Sequence, residues 1–293
     1  MALGLAANSL LGPLAANVID YRYSDSMIYQ AIGLDAVALG VAVPLASASA
    51  WLVHRGHQAG PVLAMSPALF AAYMMPQYVV GPDYLGLDGN NENFALGHIV
   101  LFVLAVAVAA GAWRSVDRDR LRPDSRRSDR RRTWLLAGVA AFIALGRQIP
   151  IIAGVIDDPT SSDAYLDNPT AFWLVAFLDL GVVTPAALAA AGGLWVGTQW
   201  ARTAAYAVIG WFALVPVSVA AMNVSMRVHD DPLVTTADTV LFGVAAVVFS
   251  AAAVWLYRPL FEPQSSVSAG ASTPEPAAPD QSDPRGVSWA SRG

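Results

Sequence analysis

Seven times between residues 28 and 257 the chain runs for a bilayer's thickness with almost no charge, and that recurrence limits the fold more than any motif does. A helix rising about 1.5 Å per residue needs about 20 apolar residues to cross about 30 Å of hydrocarbon. Lipid offers no partner for backbone N–H and C=O groups, so a span of this composition must satisfy them internally, as a helix does. The runs fall at 28–53, 61–81, 94–113, 134–156, 171–197, 201–224 and 233–257. The expected fold is therefore an all-α integral membrane protein of seven transmembrane helices, occupying 28–257. Hydrophobic residues at 56%, charged residues at 13% and a mean hydropathy of +0.48 agree.

Two flanking segments behave differently. Residues 2–19 carry no charge but include Asn8, Pro13 and Asn17. They read as a short apolar helix, either an eighth span or a helix at the outer interface, within an N-terminal segment 1–27. No basic residue precedes them, which argues against a secretory signal. Residues 259–293 contain six prolines amid Ser and Ala. The stretch 258–293 is expected to be a disordered tail.

Charge gives an orientation. The 114–132 stretch holds nine arginines against four aspartates, and Arg55, Arg202 and Arg258 fall at the same helix ends. Such ends are expected in the cytoplasm, and the tail with them. The opposite loops carry Asp20, Asp25, Asp83, Asp88, Glu92, Asp157, Asp158, Asp163, Asp167, Asp230 and Asp231 against Arg22 and Arg227. Trp51, Trp113, Trp134, Trp195, Trp200 and Trp255 all lie at the arginine-rich ends, at headgroup level. Interleaved aspartates make the 114–132 loop a poor nucleic-acid patch and a better contact for anionic lipid. The location expected is a bacterial cell membrane; the oligomeric state is not encoded legibly.

Measured from these tryptophans, the ionisable residues inside the spans form a pattern. Asp35 and Asp179 each lie 16 residues before Trp51 and Trp195, His98 lies 15 before Trp113, and Asp238 lies 17 before Trp255. Arg147 follows Trp134 by 13, and Gln77 follows Pro61 by 16. At about 1.5 Å per residue all six fall about 20–25 Å along their helices. Asp35, Gln77, His98, Arg147, Asp179 and Asp238 thus define an expected polar layer in the outer half of the membrane, acting as a binding site or as an ion pair. Intramembrane ionisable groups point to function by default. For His98 and Asp238, the shallowest, a helix-start role is the plainer reading. Arg147 and Asp179, on consecutive antiparallel helices, are the expected pair. Three aspartates against one arginine leave carboxylates in excess, a character suited to a proton, an inorganic cation or an amine.

Prolines at 44, 67, 76, 150, 185 and 216 interrupt the spans. Pro150 and Pro185 leave carbonyls close to Arg147 and Asp179 without their helical donors, and Arg147 or Gln148 can supply replacements. "LDAVALGVAVPLASASAW" (34–51) and "LDLGVVTPAALAAAGGLW" (178–195) share Leu-Asp, a proline and a terminal Trp. Chance in Ala-rich helices competes there with a parallel internal repeat.

Much chemistry is excluded. No cysteine removes disulfides, thiol nucleophiles and Cys-ligated metals, and no lysine removes a retinal Schiff base. No H-E-x-x-H, G-x-S-x-G, P-loop or dinucleotide fingerprint is present, so neither an enzyme nor a cofactor is expected. The oxygen-rich loop 82–94 lacks the ligand order of an EF-hand and reads as an Asn/Gly turn. "QYVVGPDY", "GNNENF" before an apolar helix and "LDLGVVTP" resemble segments of a family of uncharacterised bacterial multi-pass membrane proteins. That resemblance implies a fold and a location, without an activity. Two function classes follow: a transporter or channel-like protein handling a proton, cation or small polar solute, or a structural or accessory protein whose intramembrane polar groups hold helices together.

Overall fold

The structure is a computed structural model, and it describes residues 1–118, 121 and 126–262. Its helices are α1 (Ala2–Leu11), α2 (Asp25–His54), α3 (Ala59–Val80), α4 (Asn91–Ser115), α5 (Arg126–Asp157), α6 (Pro169–Val196), α7 (Gln199–Val228) and α8 (Thr236–Leu260). Seven of them, α2 to α8, are long and apolar enough to cross a membrane. The described residues contain no strand. Several starts are written locally. Ser24, Asn168 and Thr235 each accept a hydrogen bond from a backbone N–H in the first turn of α2, α6 and α8, and Pro169 opens α6 where a missing N–H costs nothing.

Burial sorts the helices into a core and a rim. About 61% of the most apolar stretch of α3 and 50% of that of α7 is buried, against 11% for α4 and 6% for α8. Helix α7 packs on α2, α3, α6 and α8, and α3 packs on α2, α4 and α7. The rim helices turn Val100, Val103, Val240, Val244 and Val247 outward, as lipid-facing helices do. At the α2–α7 crossing a β carbon on Gly33 would lie 2.5 Å from the carbonyl oxygen of Ala221, so glycine is what lets the two backbones meet.

The two ends of the bundle differ in chemistry. At one, Arg55, Arg118 and Arg130 lie over the rings of Trp51, Trp113 and Trp195. At the other, Arg22 pairs with Glu92 at 2.9 Å, and Ser24 donates to Asp167 at 2.8 Å. The loop 82–94 is occupied in holding the chain before α2: Asn90 accepts from Asp20 N–H and donates to Val18 C=O, while Asn91 accepts from Arg22 N–H.

Three boundaries differ from the expectation. Helix α5 begins at Arg126 and not near 134, because arginine is a good helix former and Asp129 is pinned within that first stretch. The rest of the arginine-rich stretch, at 119–120 and 122–125, lies outside the described residues. The expected tail is ordered at its start: Gln58 donates to the Leu260 carbonyl at 3.2 Å, the His57 ring stacks on Phe261, and the compact unit extends to Phe261. From 263 onward the tail lies outside the described residues. Helix α1, at ten residues, is about 15 Å long, half of a hydrocarbon core. Gly4 meets Leu101 and Asn8 meets His98, so α1 runs antiparallel to α4 and ends among the acidic loops.

Wider π-helical segments interrupt three spans, at Ala38–Ala42, Phe142–Gln148 and Asp179–Val183. Each ends two residues before a proline, at Pro44, Pro150 and Pro185. A proline ring clashes with the carbonyl four residues back and cannot bond to it, and a widened turn relieves both faults. Pro67, Pro76 and Pro216 sit in uninterrupted α-helix.

Candidate functional site

Asp35 lies on the face of α2 that also buries Ala31 and Leu34, and only 1% of it is exposed. Its Oδ1 accepts from the Ser9 hydroxyl at 3.1 Å and from the Tyr78 hydroxyl at 3.3 Å. Its Oδ2 accepts no hydrogen bond. The end of α1 closes over that oxygen, since a β carbon on Gly12 would stand 2.8 Å from it. Among the described residues no arginine or histidine comes within ion-pair distance of Asp35.

His98 belongs to the same cluster. It is 2% exposed, and its Nε2 donates to Asn8 Oδ1 at 2.8 Å while Nδ1 meets no partner. The rings form a stack: Tyr21 on Tyr78 at 4.9 Å, and Tyr78 on His98 at 5.4 Å. Burial, with Asp35 adding to it, pushes the Tyr21 phenol far above its ordinary range, so it remains a neutral O–H. Burial does the same to Tyr23, whose hydroxyl donates to the Gln77 carbonyl at 2.7 Å. Five segments therefore meet at one buried polar centre: α1, the Tyr21 stretch, α2, α3 and α4.

Asp179 has a separate setting. Half-buried at the start of a π-helical segment, it accepts from the Tyr73 hydroxyl at 2.8 Å and from Gln148 Nε2 at 2.6 Å. The expected ion pair with Arg147 does not form. Arg147 instead lies over the Phe242 ring, 5.2 Å from its centroid, and among the described residues it has no salt bridge within 4 Å. From this π-helical turn it is Gln148, and not Arg147, that supplies the donor to Asp179. Replacing Arg147 with Gln is accordingly expected to cost about 1 kcal/mol, the worth of a cation–π contact. Tyr73→Phe, which removes a hydrogen bond to a carboxylate, should cost about 1.5–3 kcal/mol. Thermal melts of the two variants in detergent decide it: a larger loss for Arg147→Gln restores the ion pair.

The expected layer is thus not one site. Tyr73 and Tyr78 are five positions apart on α3, which turns them about 140° from each other and separates them by about 7 Å along the axis. Asp35 and Asp179 bond to different sides of the central helix. Gln77, between the tyrosines, donates to the Tyr73 carbonyl of its own helix and reaches neither acid. Asp238 joins no cluster either. Its N–H donates to Thr235 Oγ1 at 3.0 Å and its carboxylate accepts from the same hydroxyl, a reciprocal cap that makes it a helix-start residue. Of the six expected residues, Asp35 and His98 meet in one cluster and Asp179 anchors the other.

Asn8, Ser9, Tyr21, Tyr73 and Tyr78 were not legible as site residues. Asn8 and Ser9 stand in a stretch that read either as an eighth span or as an interfacial helix, and tyrosine near a span's outer end is ordinarily a headgroup anchor. One signal was available: Tyr73, Gln77 and Tyr78 crowd three polar groups into the last third of α3.

The chain matches no family model, no curated protein and no solved structure.

Proposed function

We propose that this is a multi-pass protein of a bacterial cell membrane that carries a proton or a small inorganic cation through the Asp35 cluster, as a transporter or channel-like protein does. The observation that carries this reading is Asp35 itself, a carboxyl group buried inside a membrane-long helix, without a cationic partner, and with one oxygen left unbonded. Polar groups so placed are costly and are kept where they handle a ligand. Asp20, Asp25, Asp83 and Asp88 at the same end would raise the local concentration of cations at its mouth. Purified protein in liposomes should move protons or a monovalent cation, read by entrapped pH- and cation-sensitive dyes, and Asp35→Asn should lower that flux at least about tenfold. Wild-type flux equal to that of empty liposomes would sink the proposal.

A second reading is favoured by a different observation: Asp179 is held by two neutral donors with no ligand required. On that reading the protein is structural or accessory, and its intramembrane polar groups only fix helices. The shared acid, π-helical segment, proline and Trp of 34–51 and 178–195 support a parallel repeat. The π-helical segment begins three residues after Asp35 but at Asp179 itself, which counts against it.

The orientation proposed places the arginine-rich end in the cytoplasm, on the charge bias and the arginine–tryptophan pairs. The chain lacks cysteine, so single cysteines introduced at Ser161 and Ser115 report cleanly. A membrane-impermeant maleimide added outside intact cells should label the first and spare the second. Labelling of the second alone inverts the orientation.

A further inference from the structure

At the arginine-rich end the first turn of α5, the last turn of α6 and the first turn of α7 enclose a cleft of about 630 Å³, lined by Arg126, Asp129, Arg130, Trp195, Gly197 and Arg202 among others. That volume falls within the range of small-molecule sites. Arg126, Asp129 and Arg130 are spaced by three and four residues, so α5 presents them on one face. Arg126 and Arg130 are exposed, and Arg130 lies over the Trp195 ring at 5.3 Å. Trp195 is itself 60% exposed at the end of a membrane-long helix, the place where an aromatic ring marks headgroup level.

Among the described residues that line the cleft, three guanidinium groups stand against one carboxylate. Asp129 is already engaged by Arg202, which donates to its Oδ2 at 3.0 Å, and by Arg132, 3.8 Å from its Oδ1. We propose that this cleft binds the phosphate of an anionic lipid headgroup on Arg126 and Arg130. Arginine suits the role because its planar fork meets two phosphate oxygens at once. The site lies at the end of the bundle opposite Asp35 and does not rest on the transport reading.

The test titrates the purified full-length protein with short-chain phosphatidylglycerol and follows its melting temperature. Two double variants carry the same loss of charge: R126Q/R130Q in the cleft and R127Q/R131Q on the neighbouring face of the same helix. At about 1 kcal/mol for each arginine near an anionic lipid, R126Q/R130Q should bind about thirty-fold more weakly, with R127Q/R131Q close to wild type. Short-chain phosphatidylcholine and inorganic phosphate at equal concentration should give little shift. Equal weakening in both double variants would overturn the proposal, because charge alone and not the cleft would then bind the lipid. A shift with inorganic phosphate as large as that with phosphatidylglycerol would overturn the lipid assignment in favour of a free anion. No shift with any of the three would overturn the site altogether.

Discussion

Replacing Asp129 with alanine is expected to lower the stability of the fold by about 3–5 kcal/mol, the usual cost of removing one partner from a buried ion pair. Only 7% of Asp129 is exposed, and Arg132, 3% exposed, lies 3.8 Å away on the next turn while Arg202 reaches it from α7 at 3.0 Å. The alanine change takes the carboxylate from between the Arg202 and Arg132 guanidinium groups, at the wall of the cleft that Asp129 and Arg202 line. Arg132 cannot simply swing out, because its guanidinium also lies over the Tyr206 ring at 5.4 Å. The loss is therefore mostly electrostatic and less that of a packing contact. Arg202→Leu in the same chain removes one of the two facing cations and should recover part of the stability. Urea or thermal unfolding in detergent reads both changes. An Asp129→Ala protein within about 1 kcal/mol of wild type would show the cluster to be as solvated as an ordinary surface pair.

That cluster also marks where sequence reasoning reached its limit. The seven spans were legible because lipid imposes a length and a composition that nothing else in the chain satisfies. The arginine-rich 114–132 stretch was legible as the end of a bundle but not as helix from Arg126, since a run of arginine and aspartate scores as loop until its partner on α7 is known. Depth along each helix was legible too. Which residue faces which neighbour was not, and Arg147 shows why. Its depth matches that of Asp179, yet Gln148 takes the bond, because facing depends on helix rotation, and rotation depends on π-helical segments that a count of residues does not reveal. Asp35 was identified from depth alone, whereas its partners Ser9 and Tyr78 lie 26 and 43 residues away, on elements whose contact with α2 no periodicity predicts. Asp238 fell into the same depth class for an unrelated reason, as the cap of α8. Depth therefore gathered a true cluster and a helix start without separating them.

Locking α1 to α4 should stop transport if Asp35 is the carrier. Access to Asp35 from the acidic end is closed by α1: Ser9 bonds to one carboxyl oxygen, Gly12 covers the other, and Asn8 holds His98. A cation or proton arriving from that end can reach the carboxyl only if the end of α1 moves away. Helix α1 is short enough to do so, because it is held by a few side-chain bonds and by the packing of Leu5, and not by a bilayer-length interface. Its contact with α4 offers a lock away from the polar groups. A β carbon on Gly4 would lie 3.5 Å from Leu101 Cγ, the position a cysteine sulfur would take, so the two side chains are within reach of a bridge. With no native cysteine to compete, the Gly4→Cys/Leu101→Cys protein should form that bridge alone on oxidation. Its flux in liposomes is expected to fall at least about tenfold when oxidised and to return on reduction, with each single variant unaffected by either treatment. The expected size follows from the geometry, since a carboxyl group sealed by α1 can be reached only in the displaced state, and the bridge removes that state from the population. A bridged protein that still carries wild-type flux would mean that the route to Asp35 does not pass α1, or that Asp35 does not lie on the route.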